Sequence, residues 1–184
     1  MLGTWLTGKD VTLGFKNPEA EAQKFVDWFT DPEVTQYVST DFSGHDFRKQ
    51  MEFFQRAEHR TDAMYWMIFE NAGGGVIGST SFNEIDWDKG RVDWGIVIAD
   101  KSRWGLGYGK EALQLLMHHA FCDLSMDLFH ISVFEANLRG LKCYTACGFT
   151  ERSRELKTLA SGAPATLIHL EMTEAEYHLL SSHN

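Results

Sequence analysis

The segment from Ile96 to Phe121 constrains this chain more than any other. Gly95-Ile96-Val97-Ile98 is an apolar run that reads as a buried strand. A short polar connection, Ala99 to Arg103, leads into Trp104-Gly105-Leu106-Gly107-Tyr108-Gly109-Lys110-Glu111, with three glycines at alternate positions. Beyond it, Leu113, Leu116, Met117, Ala120 and Phe121 have the spacing of one helix face. The order is therefore strand, glycine-rich turn, amphipathic helix. Glycines let backbone N–H groups approach a ligand without interference from a Cβ. The helix N-terminus adds unpaired N–H groups and a partial positive charge. Together they predict an anion cradle suited to a phosphate or pyrophosphate. Lys110 fits that reading: the helix dipole opposes a cation there by about 0.3–1 kcal/mol, and a bound phosphate would reverse the sign.

Two common phosphate motifs do not fit. The P-loop pattern G-x-x-x-x-G-K-[ST] fails at Trp104, where a Gly is needed, and at Glu111, where Ser or Thr is needed. The dinucleotide pattern G-x-G-x-x-G fails here because Lys110 takes its last position. It does match Gly73-Gly74-Gly75-Val76-Ile77-Gly78, but strand-like Ser79 to Phe82 follows instead of a helix, so that match reads as a hairpin turn.

The loop resembles the acyl-CoA pyrophosphate loop of the GNAT superfamily of N-acetyltransferases, [QR]-x-x-G-x-[GA], with Gly107 and Gly109 in the glycine positions. Trp104 departs from the usual Gln or Arg, and W-G-x-G-Y-x-x-E-A is similar to the ribosomal-protein and small-molecule acetyltransferase branch. A second stretch, Asn137 to Phe149, is similar to that family's N-x-x-[AG]-x-x-x-Y-x-x-x-G-F and follows a strand-like run, Leu128 to Phe134. The resemblance covers Val76 to Phe149 well and the flanks loosely. It implies an α/β (α+β) fold: a mixed, mostly antiparallel sheet of about seven strands flanked by helices, in one N-acetyltransferase domain spanning residues 1–184. It also implies acetyl-CoA as co-substrate. Arg103, Trp104, Gly105, Leu106, Gly107, Tyr108, Gly109 and Lys110 would hold the pyrophosphate. Ile96, Val97 and Ile98 would pair with the pantetheine arm where two strands splay, and Asn137 would bind its amides. A dimer is common in the resembling branch, which extends the expectation to a homodimer.

Composition agrees with a globular chain. Its 184 residues suffice for one full core. No apolar run approaches 18 residues, so no membrane span is expected, and no basic segment precedes an apolar one at the N-terminus. Three cysteines without framework spacing, Cys122, Cys143 and Cys147, favour a reducing, cytoplasmic setting, and no metal site is expected. A net charge of −9 argues against a nucleic-acid partner and weakly favours a cationic substrate.

Read in order, Asp10 to Phe15 is an edge strand. Asn17-Pro18-Glu19 caps a helix carrying Ala22, Phe25, Val26 and Phe29 on one face. Asp31-Pro32-Glu33 restarts a short helix through Tyr37, and Ser43 with Asp46 forms a capping box for a third helix with Phe47, Met51 and Phe54 inward. By resemblance these helices build the acceptor site, where Trp28, Tyr37, Phe42, Phe53 and Phe54 could form walls. Ala63 to Phe69, Val76 to Phe82 and Arg91 to Ile98 form a meander. Phe149 to Leu156 and Ala165 to Met172 follow as strands, the latter bounded by Ser161 to Pro164. Thr173 to Asn184 closes as a short helix or tail.

Acetyl transfer to an amine needs an anchored thioester, a polarised carbonyl, a neutral amine and a protonated leaving thiolate. An alkyl ammonium of pKa near 10.4 is neutral in about one molecule in 2,500 at pH 7, a deficit of roughly 4.6 kcal/mol. A general base is therefore expected. Asp93, just before Trp94-Gly95-Ile96, is the first candidate, with Glu84 and Asp86 next. Tyr144 aligns with the family tyrosine that protonates the thiolate. The eight histidines form no ligand pattern. The expected activity is acetyl transfer to a primary amine of a small molecule (an aminoglycoside, polyamine or amino sugar) or to a protein N-terminus. The alternative is an inactive CoA-binding sensor or scaffold, which retention of Tyr144 disfavours.

Overall fold

The computed structural model describes residues 1–38, 40–158 and 163–182. Eight strands form one sheet in the order β1-β2-β3-β4-β5-β6-β8-β7. They are β1 (Leu6–Thr7), β2 (Val11–Gly14), β3 (Met64–Glu70), β4 (Val76–Asp86), β5 (Arg91–Ile98), β6 (Leu128–Phe134), β7 (Thr150–Thr158) and β8 (Pro164–Thr173). Six α-helices accompany them among the described residues: α1 (Pro18–Phe29), α2 (Pro32–Thr35), α3 (Phe47–His59), α4 (Tyr108–His118), α5 (Leu138–Ala146) and α6 (Glu174–Ser181). The strand beyond the expected seven is the two-residue β1. It covers the outer side of β2, so β2 is not the edge strand that its alternation suggests. Among the described residues no helix is long and apolar enough to cross a membrane.

The core lies on both faces of the sheet. On one, Trp66, Ile68, Phe82, Trp94 and Phe129 meet α4 through Leu113, Leu116 and Met117, and Tyr144 of α5 and Tyr177 of α6 complete the layer. The helical face expected at Leu113, Leu116, Met117, Ala120 and Phe121 is buried throughout, its last two residues lying in a π-turn, His119–Asp123, that extends α4. On the other face a smaller cluster joins Phe25 of α1 and Phe54 of α3 to Met67 and Val76.

The hairpin reading of Gly73–Gly78 holds: β3 and β4 pair antiparallel, and Gly74 has φ +67° in the turn. Some local readings need correction. Asn17 adopts φ 46° and makes no side-chain cap. The third helix is capped by Asp46, which accepts from Lys49 N at 2.8 Å, while Ser43 bonds to Asp41. Phe47 is 41 % exposed, and α3 turns inward at Gln50, Phe54 and Ala57. Phe47 shares that face but stands one turn beyond Gln50, where nothing covers it. The short second helix ends at Thr35, before Tyr37. Of the bounding turn Ser161–Pro164, Ser161 and Gly162 lie outside the described residues, as do the last residues of the tail, His183 and Asn184.

One feature of the sheet positions the site. Among the described strands β5 and β6 are the only parallel pair, and they pair over just four positions, Arg91–Trp94 with Leu128–Ile131. β5 continues on β4 to Ile98, and β6 continues on β8 to Phe134. The two strands therefore part in mid-sheet. A bulge between Phe82 and Glu84 of β4 lies opposite the point where they part and adds local twist.

On the intact side of β5, Gly78 of β4 allows close approach: a Cβ there would lie 2.1 Å from the Val97 carbonyl oxygen. Backbone cannot yield to it without opening the pair. Gly78→Ala is expected to cost about 1–3 kcal/mol, lowering Tm by roughly 2–4 °C per kcal/mol. A thermal melt checks this, and an unmoved Tm would mean that β4 and β5 do not approach so closely.

Candidate active site

A cavity of about 780 Å³ opens where β5 and β6 part. Its lips are Gly95, Ile96 and Val97 on β5 and Ser132, Val133 and Phe134 on β6. Asn137 and Tyr144 line it from α5, and Phe53, Phe54, Phe42, Tyr37 and Phe25 line it from the early helices and their connection. Tyr37, Phe42, Phe53 and Phe54 thus stand where an acceptor wall was expected. Trp28 does not; it packs edge-on to Phe25 under Lys24. Among the described residues two buried donors have no partner, Trp94 Nε1 and Gln50 Nε2. Both residues line this cavity. Buried donors are rarely left unpaired.

At the end of β5 the chain turns through the glycine loop. Asp100 accepts from Ser102 N at 3.0 Å, capping a 3-10 turn, Lys101–Arg103. The Trp104 indole donates to the Ile98 carbonyl at 2.6 Å, and the Arg139 guanidinium lies 3.8 Å over its ring. Trp104 therefore ties the loop both to β5 and to α5. Gly105 and Gly107 sit at φ +78° and +94°, a region costly for other residues. A Cβ at either would meet nothing within 4 Å. Gly107 is also the N-cap of α4 and provides no side chain to satisfy its first N–H groups. A helix N-terminus without a side-chain cap, preceded by glycines, fits a phosphate.

The expected cradle side chains divide. Arg103 Nη2 meets Glu70 at 3.0 Å and the Tyr108 hydroxyl donates to the same carboxylate at 2.6 Å. That hydrogen bond pushes the Tyr108 phenol above its ordinary pKa, with desolvation adding to it. Both side chains brace the loop against β3. Leu106 and Lys110 are exposed, and Gly109 lies under Ile98 and Ile96. Asn137 Oδ1 accepts from Gly140 N at 3.0 Å as the α5 cap, leaving its amide N–H₂ for another partner.

On the catalytic side, Tyr144 is buried, edge-on to Trp94 at 5.6 Å. Burial raises its phenol well above the usual tyrosine range, so it is a proton-bearing group at neutral pH. Asp93 lines the cavity, and its Oδ2 lies 2.6 Å from His130 Nδ1. Glu84 and Asp86 face a separate groove beside Arg60 and Trp87, and Asp86 is paired with Lys89 at 2.8 Å. Of the three base candidates, the structure brings Asp93 alone to the cavity. The site also holds residues that sequence reading passed over. Gln50 looks like a helix-face interruption, and His130 and His169 lie far apart in the chain. A polar residue inside an apolar helix face was the one available signal, at Gln50.

A family model described as "Acetyltransferase (GNAT) domain" matches residues 13–150. An uncharacterised N-acetyltransferase, p20, from Bacillus licheniformis is 27% identical over 133 residues, covering 70% of this chain and 73% of its own. The spermidine N-acetyltransferase of Vibrio cholerae, solved in complex with CoA and spermine, superposes with a TM-score of 0.83 at 16% identity, over 93% of this chain and 99% of its own. A GCN5-related N-acetyltransferase from Brucella melitensis superposes at 0.81 with 14% identity, over 97% and 82%. At those identities the two structures speak for the fold.

Proposed function

Since the chain belongs to the GNAT acetyltransferase family and is an acyltransferase, we propose that it uses acetyl-CoA to acetylate a primary amine, of a small molecule or a protein N-terminus, through one N-acetyltransferase domain spanning residues 1–184. The observation that carries this reading is the coincidence, along one path, of three things: the open glycine loop, the parted strands and Tyr144.

Acetyl-CoA would supply the acyl group as an activated thioester. The backbone of Gly105 to Lys110 would hold its pyrophosphate, helped by Lys110. The free edge of Ile96, Val97 and Ile98 would pair with the pantetheine amides, and one N–H of that edge would polarise the thioester carbonyl. Asn137 would donate its amide to the same arm. Asp93, on the acceptor side, would take the proton of the attacking ammonium. Tyr144 would give its proton to the departing sulfur.

The acceptor cavity supports a monoamine on an apolar or aromatic body rather than a polycation. Aromatic side chains make up about a third of its lining, and its charges balance: Asp41, Glu52 and Asp93 against Lys49, Arg56 and Arg60. The neighbour solved with spermine has the same fold, but this cavity has no acidic excess with which to hold two or three ammonium groups.

The first test is thermal unfolding with acetyl-CoA. Ligand at 100 times its Kd is expected to stabilise by about 2.7 kcal/mol, a Tm rise of several degrees for a chain this size. Gly107→Val should abolish that rise while the unliganded protein still melts cooperatively, because a β-branched residue at φ +94° cannot keep the cradle open. A full ligand shift in this variant would remove the loop from the binding site. In a steady-state assay, Tyr144→Phe should lower kcat at least about tenfold with acetyl-CoA affinity little changed. An unaltered kcat would remove Tyr144 from the chemistry.

A further inference from the structure

Asp93 does not stand alone. His130 Nδ1 lies 2.6 Å from Asp93 Oδ2, and His130 Nε2 lies 3.1 Å from His169 Nδ1. His169 Nε2 lies 3.0 Å from Glu155 Oε1. The row crosses four adjacent strands, β5, β6, β8 and β7, and runs from the cavity to the surface. His130 is 5 % exposed, whereas the Glu155 side chain is 41 % exposed. The two imidazoles stack with centroids 5.3 Å apart.

Counting protons shows what such a row can do. Its three hydrogen bonds need three protons. Two neutral imidazoles carry one N–H each and so supply two. Lys157, at 3.2 Å, and His169 hold the Glu155 carboxyl below its usual range, so Glu155 accepts and does not donate. With neutral rings the row is therefore one proton short. With one proton added, every bond is filled and an imidazolium lies between two carboxylates.

We propose that Asp93, His130, His169 and Glu155 act together as the general base, with His130, His169 and Glu155 as positioning residues that accept and share the proton Asp93 takes from the substrate. The proposal rests on the reading of Asp93 as the base. In the step, the ammonium N–H bond breaks and its electron pair stays on nitrogen, ready to attack the acyl carbon. The proton bonds to Asp93 and crosses the 2.6 Å bond to His130 Nδ1, while the His130 Nε2 proton is shared with His169. Its charge is then offset by Glu155 at the far end, and it is lost to water from the exposed end of the row. An isolated carboxyl titrates near 3.9 and is poorly matched to an amine near 10.4. Imidazole as a side-chain type is better suited to such a task than a carboxyl.

Other polar groups bear on the row. The Ser132 hydroxyl lies 3.2 Å from His169 Nδ1 and competes with His130 for it. Glu171 of β8 is the register partner of His130, and Arg152 of β7 lies 3.6 Å from it. Arg91 lies two positions before Asp93 on the same face of β5. Lys49, Arg56 and Arg60 line the cavity that Asp93 faces.

The test is the pH profile of kcat/KM for the amine, whose acid limb reports the base in the free enzyme. Glu155→Gln and His169→Gln lie outside the binding surface and keep polar groups in place. Each is expected to move the acid limb to lower pH by about half a unit, with the amine KM unchanged at the plateau, because each lowers the proton affinity of the row. A role confined to holding the strands together would lower kcat and leave the limb where it is, and that result overturns the proposal. Asp93→Asn separates the two layers of the argument. If it lowers kcat by at least about a hundredfold while both distal variants keep the wild-type limb, Asp93 acts alone. If Asp93→Asn retains full activity, the base assignment fails and the row fails with it.

Discussion

The structure depends on where a ladder stops. β5 and β6 exchange hydrogen bonds over four residue pairs and then separate, although each remains paired on its other side. Backbone donors and acceptors in a protein interior need partners, and a sheet that parts in its middle leaves two facing edges without them. Water can serve an open cleft, but an extended ligand with amides of its own serves better. The geometry therefore selects a chain-like molecule carrying amide groups. The loop at the end of β5 then selects an anion at one end of it. Neither feature alone identifies an acyl carrier. Their separation along one strand, with a buried phenol beneath the cleft, is the arrangement that the proposed acyl carrier would match.

The loop is stiffened from outside its concave side. Trp104 is fixed by the Ile98 carbonyl and covered by Arg139, and Glu70 holds both Arg103 and Tyr108. None of these contacts uses the open face where Gly105 and Gly107 present their backbone. Side chains that look like anion ligands in the sequence thus serve to hold the backbone that does the binding. Preorganisation of this kind lowers the cost of ordering a loop on association. It also accounts for Trp104 in a position where Gln or Arg is more usual in the resembling family: a ring can be fixed by β5 on its N–H and by α5 on its face at once.

What could be read from the sequence divides along the same line. Features that depend on short spacing were legible: the α4 face at Leu113, Leu116 and Met117, the hairpin at Gly73–Gly78, and the loop glycines at φ +78° and +94°. Features set by register between distant strands were not. Asp93 and His130 are 37 residues apart, and His130 and His169 are 39 apart. Only the pairing of β5 with β6 and of β6 with β8 puts them in a row. Nor does apolar periodicity reveal a polar residue placed inward on purpose, which is how Gln50 escaped and why Phe47 was given too much weight. Tertiary contacts decide such positions, and the local pattern is silent on them.

Net charge offers a related lesson. A chain at −9 generates a field that favours cations in general. Beyond about 8–10 Å that field is screened at physiological salt, so the reacting amine responds mainly to the groups that surround it. In the cavity those groups are balanced, and one carboxylate is backed by two imidazoles. Such a site does not hold its substrate by charge. An ammonium entering it loses solvation without gaining an acidic cluster in exchange, which shifts the amine toward its neutral form. If the cavity is the acceptor site, as proposed, the same surroundings that would make it a poor polycation binder favour deprotonation, and turnover then depends on the acceptor of that proton.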